Sequence, residues 1–163
     1  MSSLIPDSYV TIIGDHLEHA FEDQIGQTVE VLDRLPQPTD TNGSVFVEID
    51  HWEPAEYHIG SQAPLLGRYT GRVYIFSKHL LEGEGKSFNR MLTTHLRHFL
   101  AFTPVLLAKL SVPKDELVTG TEFFQRFKLV SQDNYTSMQF KSNVHVQVSS
   151  TEFEIETETT CNA

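Results

Sequence analysis

The stretch from Gly67 to Leu110 constrains the chain most, because it reads as a strand followed by a helix that can shield it. In Arg68-Tyr-Thr-Gly-Arg-Val-Tyr-Ile-Phe-Ser-Lys78, Tyr69, Val73 and Ile75 share one parity, while Arg68, Arg72, Tyr74 and Phe76 share the other. Bulky side chains on both parities predict a strand mostly covered on both faces. Glu82-Gly-Glu-Gly-Lys86 supplies turn chemistry, and Ser87 stands where a helix N-cap is wanted. A helix of about four turns is expected next, with Phe88, Met91, Leu92, Leu96, Phe99 and Leu100 in one arc at about 100° per residue.

The flanking sequence supplies what is needed to widen the sheet and finish its cover. A first helix is expected from Ser8 to Ile25, with Val10, Ile13, Leu17, Ala20, Phe21, Gln24 and Ile25 on one side and Gly26 as the stop. Thr28–Arg34 and Ser44–Asp50 alternate as strands, separated by the turn-rich Pro36–Gly43, and read as antiparallel neighbours. Trp52 to Leu66 has no period of either kind and carries Pro54, Gly60 and Pro64. An irregular segment of that length normally has a task, so its Trp52, Tyr57 and Ile59 are candidate subunit contacts, the alternative being a loop folded back on its own domain. Thr103-Pro104 should break the helix. Glu122–Val130 and Tyr135–Val148 read as strands around a turn at Asp133-Asn134. At Ser149-Ser-Thr151 the apolar phase slips from even to odd positions, as at a bulge or bend. The expected fold is α+β, a mostly antiparallel sheet covered by an N-terminal helix and one long central helix.

A chain of 163 residues suits one domain spanning 1–163, with frayed ends near 1–6 and 160–163. No apolar run approaches the span of a bilayer, and the first residues lack the basic and apolar regions of a secretory signal. Cys161 is the only cysteine, so no internal disulfide holds the fold. The formal net charge of −10, with 12 Lys and Arg against 22 Asp and Glu, argues against a basic footprint for gripping DNA.

The oddest segment is Thr151-Glu-Phe-Glu-Ile-Glu-Thr-Glu-Thr-Thr160. As a strand it sets Phe153, Ile155, Thr157 and Thr159 on one face and Glu152, Glu154, Glu156 and Glu158 on the other. Carboxylates spaced by about 6.6 Å along a strand repel one another. The plain explanation is a solvated edge strand blunted by charge; the sharper one is a surface that must repel something negative. His16 and His19, and His95 and His98, have a helical i, i+3 spacing that could serve a metal. The two pairs do not converge on the helical wheel, and a buried, hydrogen-bonded His95 with solvated partners is the simpler expectation. Gly83, Gly85, Lys86 and Ser87 lack the remainder of a phosphate loop, and there is no Gly-x-Ser-x-Gly elbow. Neither a catalytic residue, a metal site nor a cofactor site is indicated, and the chain reads as a non-enzyme.

The order helix, two strands, long loop, the strand Gly67-Arg-Tyr-Thr-Gly-Arg-Val-Tyr-Ile-Phe-Ser-Lys-His79, helix, and terminal strands ending in Ser150-Thr-Glu-Phe-Glu-Ile-Glu-Thr-Glu158 resembles the tail terminator proteins of long-tailed bacteriophages. The resemblance runs from Ser8 to Thr160. It implies a virion subunit at the tail–neck junction, assembled in the host cytoplasm as a hexameric ring. Its partners would be its own copies, the tail tube protein and the head-side connector protein, with no cofactor and no membrane. DNA would pass through the ring without specific binding, and Glu152, Glu154, Glu156 and Glu158 would line the lumen as an acidic face. The rivals are another ring component, such as a tube or connector subunit, a small α+β ligand-binding domain lined by Phe123, Phe124, Phe127 and Phe140, and a metal-dependent enzyme using the two histidine pairs.

Overall fold

A computed structural model describes residues 5–33, 43–56, 65–79, 82–101, 103–104, 111–113, 120–139 and 145–161. The elements in chain order are α1 (Ile5–Ile25), β1 (Glu30–Leu32), β2 (Ser44–Glu56), β3 (Leu65–His79), α2 (Glu82–Leu100), β4 (Ser111–Pro113), β5 (Gly120–Gln139) and β6 (His145–Cys161). The strands form one six-stranded sheet in the order β1-β2-β3-β6-β5-β4. All pairings are antiparallel except β1 with β2. This is the expected α+β fold, with both helices on one side of the sheet.

Burial explains why the helices sit there. Ile13, Leu17 and Phe21 of α1 and Leu92, Leu96, Phe99 and Leu100 of α2 pack with Val45, Val47, Tyr69, Val73, Ile75, Phe153 and Ile155 in one core. The Phe21 and Phe99 rings meet edge to face with centroids 4.9 Å apart, a favoured aromatic geometry. Helix α1 stops at Gly26, whose φ of 66° only glycine adopts without strain. There the Gly26 and Gln27 amides donate back to the Glu22 and Phe21 carbonyls, both at 3.0 Å. His16 Nε2 lies 2.8 Å from the Phe99 carbonyl oxygen, so one helix caps the last turn of the other.

Several expectations are corrected. The first two strands are parallel, with Glu30 opposite Ser44. Leaving α1 through the Gly26 turn, the chain buries Val29 and reaches the sheet edge already running in the direction of β2. The turn expected at Glu82–Lys86 is the first turn of α2, where glycine costs less than in a helix interior. Asp133-Asn134 is no hairpin turn but a register shift inside β5, between Asp133 and Thr136. The segment from Trp52 to Leu66 is strand at both ends, as β2 continues to Glu56 and β3 begins at Leu65. Register shifts between Ile49 and His51 and between Pro54 and Glu56 break the period, which is why alternation was not visible there. Of the three contact candidates in it, Trp52 is described; Tyr57 and Ile59 lie outside the described residues.

The apparent slip at Ser149–Thr151 has a different cause. Strand β6 keeps register with β3 from His145 opposite His79 to Thr159 opposite Leu65, with no bulge. The polarity of its helix-facing positions changes instead: Gln147, Ser149 and Thr151 are buried on the same side as Phe153 and Ile155. They meet a polar seam on α2. Buried Asn89 donates from Nδ2 to the Ile75 and Gln147 carbonyls at 3.2 and 3.1 Å, and Thr93 Oγ1 lies 2.8 Å from Ser149 Oγ. Gln132 Nε2 closes the seam from β5, donating to Thr93 O at 3.3 Å and Thr151 Oγ1 at 3.0 Å. Asn89, Thr93, Ser149, Gln132 and Thr151 all find partners at this helix–sheet contact, as burial favours.

Candidate functional site

The face of the sheet away from the helices carries the charged residues that the sequence singled out. Phe153, Ile155 and Thr157 are buried on the helix side, while Glu152, Glu154, Glu156 and Glu158 are half-buried on the other. The strand that holds them is not an edge strand: β6 lies between β3 and β5. The expectation of a charged edge is therefore overturned, and so is the picture of carboxylates left to repel one another.

Register supplies the cations that the sequence could not show. Across the sheet, Glu156 stands opposite Arg68 of β3 on one side and Arg126 of β5 on the other, and Arg68 in turn faces Glu53 of β2. The next row joins His51, Thr70, Glu154 and Lys128, and the one after it Glu48, Arg72, Glu152 and Ser131. Apart from His51 on β2, each strand thus carries one sign on this face, and its neighbours carry the other: β2 acidic, β3 basic, β6 acidic, β5 basic. Directly opposed unlike charges stabilise an antiparallel pair.

Distances follow this order. Arg126 donates to Glu156 at 2.7 Å and Arg68 to Glu53 at 3.1 Å. Arg68 also lies 3.8 Å from Glu154 and 4.0 Å from Glu156. Gln125 and Ser131 donate to Glu158 and Glu152 at 3.1 and 3.4 Å. The three rows and Glu158 bring together six carboxylates, Glu48, Glu53, Glu152, Glu154, Glu156 and Glu158, and four cations, Arg68, Arg72, Arg126 and Lys128. The face remains acidic on balance. Glu154 and Glu156 keep 22% and 25% of their side-chain surface in solvent, enough to project a field and too much for a sealed ionic core.

Two glycines permit the close packing behind it. A Cβ on Gly71 would come within 2.5 Å of both the Glu48 carbonyl oxygen and the Phe153 ring, so the ring of Phe153 lies directly over the backbone of β3. Gly67 does the same for Trp52, whose indole would stand 2.5 Å from such a Cβ. An aromatic ring laid over a strand glycine covers backbone that would otherwise be exposed. Trp52 is still 40% exposed and lies near the sheet edge.

The other candidates are distributed differently. His16 caps α2, His95 stacks on Phe99 at 5.9 Å, and His19 bonds the Asp15 carbonyl within its own helix at 2.7 Å. The hydrogen-bonded histidine between the helices is thus His16 and not His95. Among the described residues no group of three His, Cys, Asp or Glu is gathered as metal ligands. Phe124 and Phe127 pack against the core, Phe127 stacking on Phe153 at 5.4 Å, whereas the backbone register sets Phe123 opposite Glu158. The described side chains of Phe124 and Phe127 thus belong to the core; Phe140 lies outside the described residues.

Fold and face together define an α+β protein whose helices occupy one side of a long sheet and whose other side is a charged, net-acidic surface. No family model and no curated protein matches the chain. Among solved structures, a chain from the virion of a native gene transfer agent particle is similar over 96% of this chain and 99% of its own, with a TM-score of 0.43 and 9% sequence identity. No described helix is long and apolar enough to cross a membrane.

Proposed function

We propose that the protein is a structural virion subunit of the tail terminator kind. In this reading it assembles as a hexameric ring on the last ring of a phage tail tube, ends the tube's growth, and joins it to the head-side connector. The observation that carries the proposal is the helix-free sheet face, where Glu152, Glu154, Glu156 and Glu158 stand in one column and carboxylates outnumber cations. Turned towards the hole of a ring, that face repels phosphate, and a polyanion slides past without being held. Arg68 and Arg126 hold the carboxylate column in place, and the face keeps its acidic sign. The element order shared with the terminator resemblance supports the same reading, in which the chain catalyses nothing and needs no cofactor.

The test is reconstitution. Purified tail tubes mixed with the protein should each acquire one extra ring at one end and stop elongating, as seen by negative-stain microscopy. Tubes that keep growing and remain bare at both ends would rule the terminator role out. A tube-forming role is the neighbouring alternative, and it requires the protein to polymerise into tubes on its own.

A further inference from the structure

We infer that neighbouring copies join edge to edge, the β5 edge of one copy pairing antiparallel with the β2 edge of the next. This goes beyond the ring reading by naming the strands that meet. It rests on that reading only for closure of the circle.

Three independent features converge on these two edges. The first is free backbone. Strand β1 pairs with β2 only at Ser44–Phe46, and β4 pairs with β5 only at Thr121–Phe123. Beyond those short pairings, among the described residues, β2 from Val47 to Glu56 and β5 from Phe124 to Gln139 have no strand on their outer sides. Long unpaired edges are templates for another chain, and proteins that do not use them cover or blunt them.

The second is charge. The signs run acidic on β2, basic on β3, acidic on β6 and basic on β5, so the alternation ends at Arg126 and Lys128 on one side and begins at Glu48 and Glu53 on the other. Setting β2 of a second copy beside β5 continues the alternation, with Arg126 in the row of Glu53. Setting β5 beside β5, or β2 beside β2, opposes like charges. Strand direction agrees: β2, β3, β6 and β5 alternate, so β5 runs opposite to β2, and copies related by rotation about an axis along the strands meet antiparallel.

The third is exposed apolar surface. Helix α2 lies over β3 and β6, reached from β5 by Gln132 donating to Thr93 O, while Leu129 and Val130 on that strand stay 39% and 42% exposed. Trp52, 40% exposed, stands on the opposite edge. Its row crosses the sheet through Tyr69 and Ile155 to Phe127, one row from Leu129. Edge pairing brings the indole of one copy beside the uncovered β5 residues of the next, removing both from water.

Such a contact is head-to-tail: each copy offers one donor edge and one acceptor edge. Blocking either edge alone should abolish assembly, yet the two blocked chains should still complement each other. The β5 edge is blocked by Leu129→Lys with Val130→Lys, and the β2 edge by Trp52→Glu; circular dichroism and melting check that each still folds. If Trp52→Glu melts early, Glu48→Lys reverses the charge on the same edge. By analytical ultracentrifugation, the unaltered chain should form rings, each blocked chain should be monomeric, and their equimolar mixture should give a one-to-one dimer and nothing larger. Blocked chains that still form rings, or a mixture that stays monomeric, would overturn the edge contact while leaving the ring reading standing. An unaltered chain that stays monomeric both alone and when added to tail tubes would defeat both.

Discussion

The two faces of β6 are built from the same backbone and obey different physics. On the helix side Phe153 and Ile155 are fully buried, and their positions are set by volume: Phe153 fills the space over Gly71 and stacks on Phe127. On the other side Glu152, Glu154, Glu156 and Glu158 are set by which charges the neighbouring strands bring opposite them. Burial makes the first face intolerant of change. Solvent makes the second face cheap to alter in stability and leaves it available for function.

The largest expected effect tests that contrast at its strongest point. Phe153→Ala should destabilise the fold by about 3–5 kcal/mol, measured by denaturant unfolding, because the surrounding rows cannot collapse into the space. A loss below about 1 kcal/mol would mean the core is not organised on this ring. Asn89→Ala comes next. It leaves the Ile75 and Gln147 carbonyls without their shared donor, and should cost about 1–3 kcal/mol with a faster-exchanging α2. Glu156→Gln, on the charged face, should cost about 1 kcal/mol or less and lose even that in high salt, despite its 2.7 Å contact with Arg126. If Glu156→Gln were as damaging as Asn89→Ala, the division between the faces would be wrong.

The smallest effect lies outside the sheet. The His19 imidazole titrates above its ordinary value, chiefly through its bond to the Asp15 carbonyl, with the charges of Glu18, Asp23 and Asp15 adding and desolvation opposing. A raised pKa in the folded state favours the protonated fold. The contribution is therefore complete below the unfolded-state value and fades as pH rises through the folded-state one. Proton NMR should find His19 titrating above a free imidazole, and Glu18→Gln should lower it. An unshifted midpoint would show that the helix does not hold this ring.

How much was visible beforehand follows the same division. The arcs of α1 and α2 and the alternation in Thr151–Thr160 were readable because each has a single period set by one buried face. Where the buried face is polar, the period misleads: Gln147, Ser149 and Thr151 look solvent-facing and are buried beneath Asn89 and Thr93. Bulges hide strand too, as at Asp50 and Pro54, where a shift in register erased the alternation. The charged face was half legible. Its carboxylates stand in a row along one strand, but Arg68, Arg72, Arg126 and Lys128 are brought to them by pairing over separations of about 30 to 90 positions, which no local pattern records.

The most direct test of the account is an electron cryomicroscopy map of the protein assembled at the end of a tail tube. The account predicts a closed ring with Glu152, Glu154, Glu156 and Glu158 facing the central hole. A ring that turns those glutamates to its outer wall, with the helices lining the hole, would contradict it.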